Sequence, residues 1–221
     1  MRLLALETAV EACSVALWQD GLVCSRFVHA PRQQTALLLP MVESLLNEAG
    51  WSLSSLDVLA YSAGPGAFSG VRLGAAAVQG LALGLDKPVV AVSSLQVLAQ
   101  GVWRTRQMPR VLSIFDARMD QVYAAAFVCE QGQMQRVSED RLLAPEQVEV
   151  PAGAWFVAGN GWVYRDRLAI HSMGSDEQAL PDAQDVAALA AGWAEQGAAR
   201  DAAEALPVYL RHDVWKKMPG R

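Results

Sequence analysis

The chain has 221 residues, 52% of them apolar, enough to bury a core in one large domain or two half-size lobes. Its net charge of −5, from 18 basic and 23 acidic side chains, argues against a free-standing nucleic-acid binder, because neutralising phosphates takes clustered Lys and Arg. Three cysteines without a C-x-x-C pair and three histidines without i, i+3 or i, i+4 spacing argue against a disulfide framework, a thiolate metal site and a bound catalytic zinc.

The opening "MRLLALETAVEACSVAL" is apolar enough to resemble a signal sequence, but Glu7 and Glu11 interrupt it and a strand-like alternation follows. A cytoplasmic protein with no membrane span is expected, with Cys13, Cys24 and Cys129 packed as small hydrophobes. Three strands are predicted: a run to Leu6, Cys13 to Trp18 and, after the turn "QDG", Leu22 to Val28. A helix follows from Thr35 to Ala49 with Leu38, Val42, Leu45 and Ala49 on one face. Then come a buried strand at Asp57 to Ser62, a helix at Ser69 to Gly84, the strand "KPVVAVS" and a helix from Ser94 to Arg104.

About a hundred residues on, the opening pattern returns in "RVLSIFDARMDQVYAAAFVCEQGQMQRVS": a run to Phe115, a strand at Gln121 to Val128, the turn "EQG" and a strand at Gln133 to Ser138. A strand at Ala154 to Ala158, the loop "GNGW" and an Ala-rich helix at Ala183 to Glu195 complete the chain. The expectation is an α/β protein of two similar β-β-β-α-β-α lobes, residues 1–105 and 106–221.

In both copies the first strand ends in an acid, Glu7 and Asp116. Two such carboxylates facing each other across a cleft could hold hydrated Mg²⁺ or orient a water. Equally, each could cap a turn or pair with a neighbour such as Arg118. The loop "GPGAFSG" (residues 64–70) lacks the Lys-Ser/Thr pair of a phosphate-binding P-loop, but a glycine-rich loop opening a helix leaves N–H groups free for an anion. Ser69 is the expected N-cap. Arg72 in the first turn opposes the helix dipole and calls for a nearby anion: Glu7, another acid or a bound phosphate. Gly74, Gly80 and Gly84 each cost that helix about 1 kcal/mol relative to alanine unless another backbone comes close. The preceding helix carries Leu37, Leu38, Leu39, Met41, Val42, Leu45 and Leu46, a wider apolar face than one core contact needs, so part of it is expected to meet another subunit, the alternative being that the core takes all of it. The tail from Arg211, "RHDVWKKMPGR", is basic and reads as a solvated end or a contact with a polyanion.

The segments "LLALETAVEACSVAL", "GPGAFSGVRLGAAAVQGLALG", "PVVAVSSLQVLA", "DARMDQVYAA" and "PVYLRHDVWKK" together resemble, in order and over nearly the whole chain, the bacterial TsaB (YeaZ) family of tRNA threonylcarbamoyladenosine biosynthesis proteins. The resemblance implies an actin-like (ASKHA, ribonuclease-H-like) duplicated fold with mixed sheets, in a non-catalytic paralogue of the transferase subunit TsaD. It further implies a scaffold that binds TsaD, with the small ATPase TsaE, so that threonylcarbamoyl is installed on adenosine 37 of tRNAs reading codons that start with A. Alone, such proteins self-associate as homodimers through the same two helices. Mapped onto this sequence, the interface would comprise Leu38, Met41, Val42, Leu45, Leu46, Ala49, Val71, Gly74, Ala75 and Val78.

No catalytic residue, metal or required cofactor is implied. A vestigial nucleotide site with weak affinity for ATP or ADP would draw on Glu7, Thr8, Gly64, Gly66, Arg72, Asp116, Gly159, Asn160 and Gly161. Glu7 replaces the aspartate more usual at that position in the family, and the histidine pair with which the transferase paralogue holds its metal has no counterpart in "HAPRQQT". tRNA would be met indirectly or through the basic tail. An ATP/Mg-dependent phosphotransferase and, more remotely, a metallopeptidase are the competing readings.

Overall fold

The computed structural model describes residues 1–211, so the basic tail lies outside the described residues apart from Arg211. Alternation builds both sheets. In β1 (Arg2–Glu7), Leu4 and Leu6 face one side while Leu3 and Ala5 face the other. This central strand pairs antiparallel with β2 (Ala12–Gln19), which pairs antiparallel with β3 (Leu22–His29). It pairs parallel with β4 (Val58–Gly64), and β4 in turn with β5 (Val89–Ser93). The order is β3-β2-β1-β4-β5.

The second sheet repeats this. A central β6 (Arg110–Arg118) pairs antiparallel with β7 (Gln121–Glu130), then β8 (Gln133–Arg136), and parallel with β10 (Trp155–Ala158), then β11 (Ser172–Asp176), giving β8-β7-β6-β10-β11. A short β9 (Arg141–Leu143) adds to β7. Two copies of one mixed five-strand order, flanked by helices, are the duplicated actin-like architecture that the sequence led us to expect.

The helices depart from the expected plan. Helix α1 (Gln34–Ala49) and helix α2 (Phe68–Leu85) cover one face of the first sheet, burying Leu38, Val42, Leu45, Ala75 and Val78 with Leu4, Leu6, Leu59 and Tyr61. The other face of the first sheet is covered by α4 (Ala183–Glu195), whose Ala183, Val186, Ala187 and Ala190 pack on Leu3, Ala5, Ala60 and Val90. Conversely, α3 (Ser94–Arg106) sets Leu95, Leu98, Ala99 and Val102 against Val111, Phe115 and Phe127 of the second sheet. Each half therefore lends one helix to the other's sheet, across the boundary at residues 105 and 106. Arg104 of α3 clamps Asp185 of α4 through two hydrogen bonds, of 2.8 and 2.9 Å.

The second lobe does not repeat the helices of the first. Its far face is covered by Val148, Leu168 and the 3₁₀ segment Asn160–Arg167, and β9 and β11 appear where no strand was expected. Cys13 is buried as expected, whereas Cys24 is exposed because β3 is an edge strand. By length and mean hydropathy of 1.3, α2 would suffice to cross a bilayer, yet it packs along β4 as a core helix.

Candidate functional site

The glycine loop is built around the turn between β1 and β2. A Cβ at Gly66 would collide with the Ala9 carbonyl, and one at Gly70 with the Thr8 carbonyl; only glycine permits so close an approach. The Ala67 N–H donates to Ala9 O at 2.7 Å, and Thr8 Oγ1 donates to Gly70 O at 2.8 Å. Gly74 continues the contact, since a Cβ there would lie 2.8 Å from Thr8 Oγ1. In this lobe the loop and the hairpin turn thus fill one another. Gly64, at φ +110°, ends β4 where the backbone of Val208 crosses it.

Two local expectations are corrected. The N-cap of α2 is Ala67, which has no side-chain acceptor, and Ser69 lies inside the first turn. Arg72 meets neither Glu7 nor any other carboxylate among the described residues. Its guanidinium sits 3.4 Å from the centre of the Phe68 ring and 5.4 Å from that of Tyr209, and its Nε donates to the Tyr209 hydroxyl at 2.5 Å. Aromatic faces, through their quadrupole, take the place of the anion.

The strand-end acids have different fates. Glu7 is fully buried, with Oε1 accepting from the Ala9 N–H at 2.5 Å. Burial pushes its carboxyl up to about 7; the Ser62 hydroxyl and the Ala9 N–H oppose the rise, and the charge of Asp182 adds to it. Neither Glu7 Oε2 nor Ser62 Oγ makes a hydrogen bond of acceptable geometry. Asp116 instead faces the space between the lobes. It accepts from the Arg118 N–H at 2.8 Å, from the Arg118 guanidinium at 3.1 Å and from the Tyr164 hydroxyl at 3.3 Å. The neighbour-pairing reading therefore holds for Asp116, and Glu7 does not join it in lining the cleft.

That cleft measures about 830 Å³ and is lined from both lobes. Of the residues expected in a nucleotide site, Gly66, Arg72, Asp116 and Asn160 line it, while Glu7, Thr8, Gly64, Gly159 and Gly161 do not. Thr8 is buried under Gly70, and Gly159 and Gly161 press on the Ile114 backbone, which would collide with a Cβ at the first and lie 3.0 Å from one at the second. Asn160 Oδ1 accepts the Asp116 N–H at 2.9 Å, fixing the tip of β6. The β6–β7 turn follows with Arg118, Met119 and Asp120 all left-handed.

The sequence did not point to the segment that spans the cleft mouth. Val208 N–H donates to Ala63 O, the Tyr61 hydroxyl to Leu206 O, and Arg211 Nη2 to Ala117 O, at 2.8 to 2.9 Å. Residues 206–211 thus bridge the lobes. The signal available was Tyr209 and Arg211 within the quoted "PVYLRHDVWKK", but their partners lie about a hundred residues away and no local pattern names them.

The expected interface residues lie mostly inside their own lobe. Leu38, Val42, Leu45, Leu46, Val71, Gly74, Ala75 and Val78 are buried in this chain, and Met41 and Ala49 are half-buried against the same core. Neighbouring positions are the ones that face outward: Leu39 is 55% exposed and Leu83 60%, with Ala76, Gly80 and Gly84 also exposed. A Cβ at Gly80 or Gly84 would meet open space. Among the described residues no close backbone compensates those two glycines.

Comparison with known proteins fits this geometry. A family model described as "TsaD: tRNA N6-adenosine threonylcarbamoyltransferase" matches residues 28–207. The chain is 41% identical to the tRNA threonylcarbamoyladenosine biosynthesis protein TsaB of Escherichia coli over the whole of both chains, and 36% identical to TsaB of Haemophilus influenzae over 100% of this chain and 98% of that protein. The solved structure of YeaZ from Pseudomonas aeruginosa superposes with a TM-score of 0.92 at 45% identity, covering 95% of this chain and 99% of that one. With its whole length matched and its duplicated sheets superposed, the chain belongs to the TsaB family.

Proposed function

We propose that this chain is a cytoplasmic, non-catalytic scaffold in the threonylcarbamoylation of adenosine 37 in tRNAs reading A-starting codons. It docks on the TsaD transferase subunit through the outward faces of α1 and α2, with the ATPase TsaE as third member. Alone, it uses the same faces to form a homodimer. The observation that carries this reading is the outward strip of Ala76, Gly80, Leu83 and Gly84 on α2, together with the exposed Leu39 of α1. These positions are apolar, and nothing among the described residues covers them. A helix that keeps glycine at an exposed interior position forgoes about 1 kcal/mol of propensity, which close approach of a partner helix would offset.

The relatives' names supply the pathway. The scaffold reading is further supported by a buried Glu7, an Asp116 tied to Arg118, and a glycine loop filled by its neighbouring turn. On this reading the chain needs no cofactor, and any affinity for ATP or ADP is weak.

Leu39→Arg and Leu83→Arg place a charge at those positions without disturbing the core. Each variant should stay folded by circular dichroism and lose co-purification with the transferase subunit at least tenfold. Folded variants that assemble and support modification at wild-type level would refute the docking face.

A further inference from the structure

The charges around the interlobe cleft run against the chain's average. Arg32, Arg72, Arg118 and Arg211 line it, from four separate segments, against only Glu11 and Asp116. Among the described residues, Arg32, Arg72 and Arg211 have no carboxylate within ion-pair distance, and Arg118, paired with Asp116, keeps its side chain 82% exposed. On the same lip, Phe68 is 54% exposed although Arg72 stacks on it, and Tyr209 lies beside it with ring centres 6.0 Å apart. Exposed aromatic and guanidinium planes within reach of several arginines are the chemistry that holds an unstacked base and its flanking phosphates.

We propose that this cleft mouth, formed by Phe68, Arg72, Tyr209, Arg32, Arg118 and Arg211, is a contact site for a single-stranded stretch of RNA. The proposal rests on the reading of this chain as a subunit in tRNA modification. A strand fits better than a free nucleotide. The β1–β2 turn, where a small ligand's phosphates could be held deep in the first lobe, is filled by the glycine loop through the Ala67–Ala9 hydrogen bond and the close approach of Gly66 and Gly70. The remaining cations sit at the rim, where a strand passing over the surface meets them. Beyond Arg211 the sequence also carries Lys216, Lys217 and Arg221. The net charge of −5 is no obstacle, because steering and phosphate contact depend on local clustering and the site acts within an assembly.

The test uses the assembled complex with the transferase subunit and a fluorescein-labelled anticodon stem-loop RNA, followed by anisotropy over a range of salt. The Arg32→Glu/Arg118→Glu pair should weaken binding at least tenfold at 0.1 M salt and reduce the slope of log K against log salt by about 1 or more. Phe68→Ala should weaken binding severalfold with the slope unchanged, as loss of stacking does. Arg141→Glu, an exposed arginine elsewhere, is the control and should bind as wild type. Co-purification is read on the same samples, so that a failed docking face and a failed RNA site are told apart. Photocrosslinking of 4-thiouridine RNA to the wild-type complex gives a readout free of any variant: cross-links within residues 68–72 or 206–211 support the site. Unchanged affinity in both the arginine pair and Phe68→Ala, cross-links only outside those segments, or a response of ATP binding without one of RNA binding would each overturn it.

Discussion

Replacing Glu7 by Gln should make the protein more stable at neutral pH, although Glu7 sits at the strand end where an active-site acid was considered. The carboxyl is fully buried, its ordinary value of 4.5 is raised to about 7, and burial is the largest cause. The folded chain therefore holds this proton more tightly than the unfolded chain does. Stability is unaffected below about pH 4.5, falls as pH rises from there, and levels off above about pH 7. At about 1.4 kcal/mol per tenfold, that rise corresponds to about 3 kcal/mol at pH 8. Gln keeps the size and can still accept the Ala9 N–H, and its amide can donate to the unpartnered Ser62 hydroxyl. Urea denaturation from pH 4.5 to 8.5 measures the effect. The variant should match the wild type near pH 4.5, exceed it increasingly up to pH 7, and lack the part of the pH slope that Glu7 supplies. A variant less stable than wild type at pH 8, or one with the wild-type pH slope, would refute the assignment of that slope to a strained buried charge.

Other substitutions separate core from surface. Leu45→Ala, at a fully buried position, should cost about 3 kcal/mol in urea melts, whereas Leu39→Ala should stay within about 0.5 kcal/mol. Gly80→Ala should raise the stability of the isolated chain by about 1 kcal/mol, because its Cβ meets open space, while weakening co-purification with the transferase subunit. Gly70→Ala should cost about 2 kcal/mol or more, since the Thr8 carbonyl must move; a neutral result would show the glycine loop to be looser than described. Arg104→Ala leaves the buried Asp185 without its clamp and should cost about 3 kcal/mol at pH 8. Burial pushes the Asp185 carboxyl up to about 6 even beside Arg104, so the loss should shrink towards pH 5, where the acid takes up a proton.

How much of this was legible in the sequence depended on whether the physics was local. The alternation of β1 and β2, the return of the same pattern at β6 and β7, and the apolar periodicity of α1 and α4 are carried by residues a few positions apart, and these elements were found where expected. The strand β11, "SMGSD", has no apolar alternation and exists because β10 offers it an edge, so no pattern could announce it. The apolar face on α1 is as wide as the sequence suggested, and the structure divides it: Leu38, Val42, Leu45 and Leu46 serve the chain's own core while Leu39 faces outward, because sequence shows that a side chain wants cover and not which surface supplies it. Arg72 showed the same limit. Its position in the first turn demanded compensation, and of the two rings that supply it Phe68 lies one turn back whereas Tyr209 lies 137 residues away.

The crossing of α3 and α4 also sets the timing of folding during synthesis. Leu3, Ala5, Ala60, Val90 and Val92 all lie within the first hundred residues, but α4, which covers them, ends at residue 195. Until α4 has emerged, that side of the sheet lacks its greasy cover, and the nascent chain must be kept from sticking to others of its kind. The interlock that unites the halves in the finished molecule leaves the growing chain vulnerable until α4 is made.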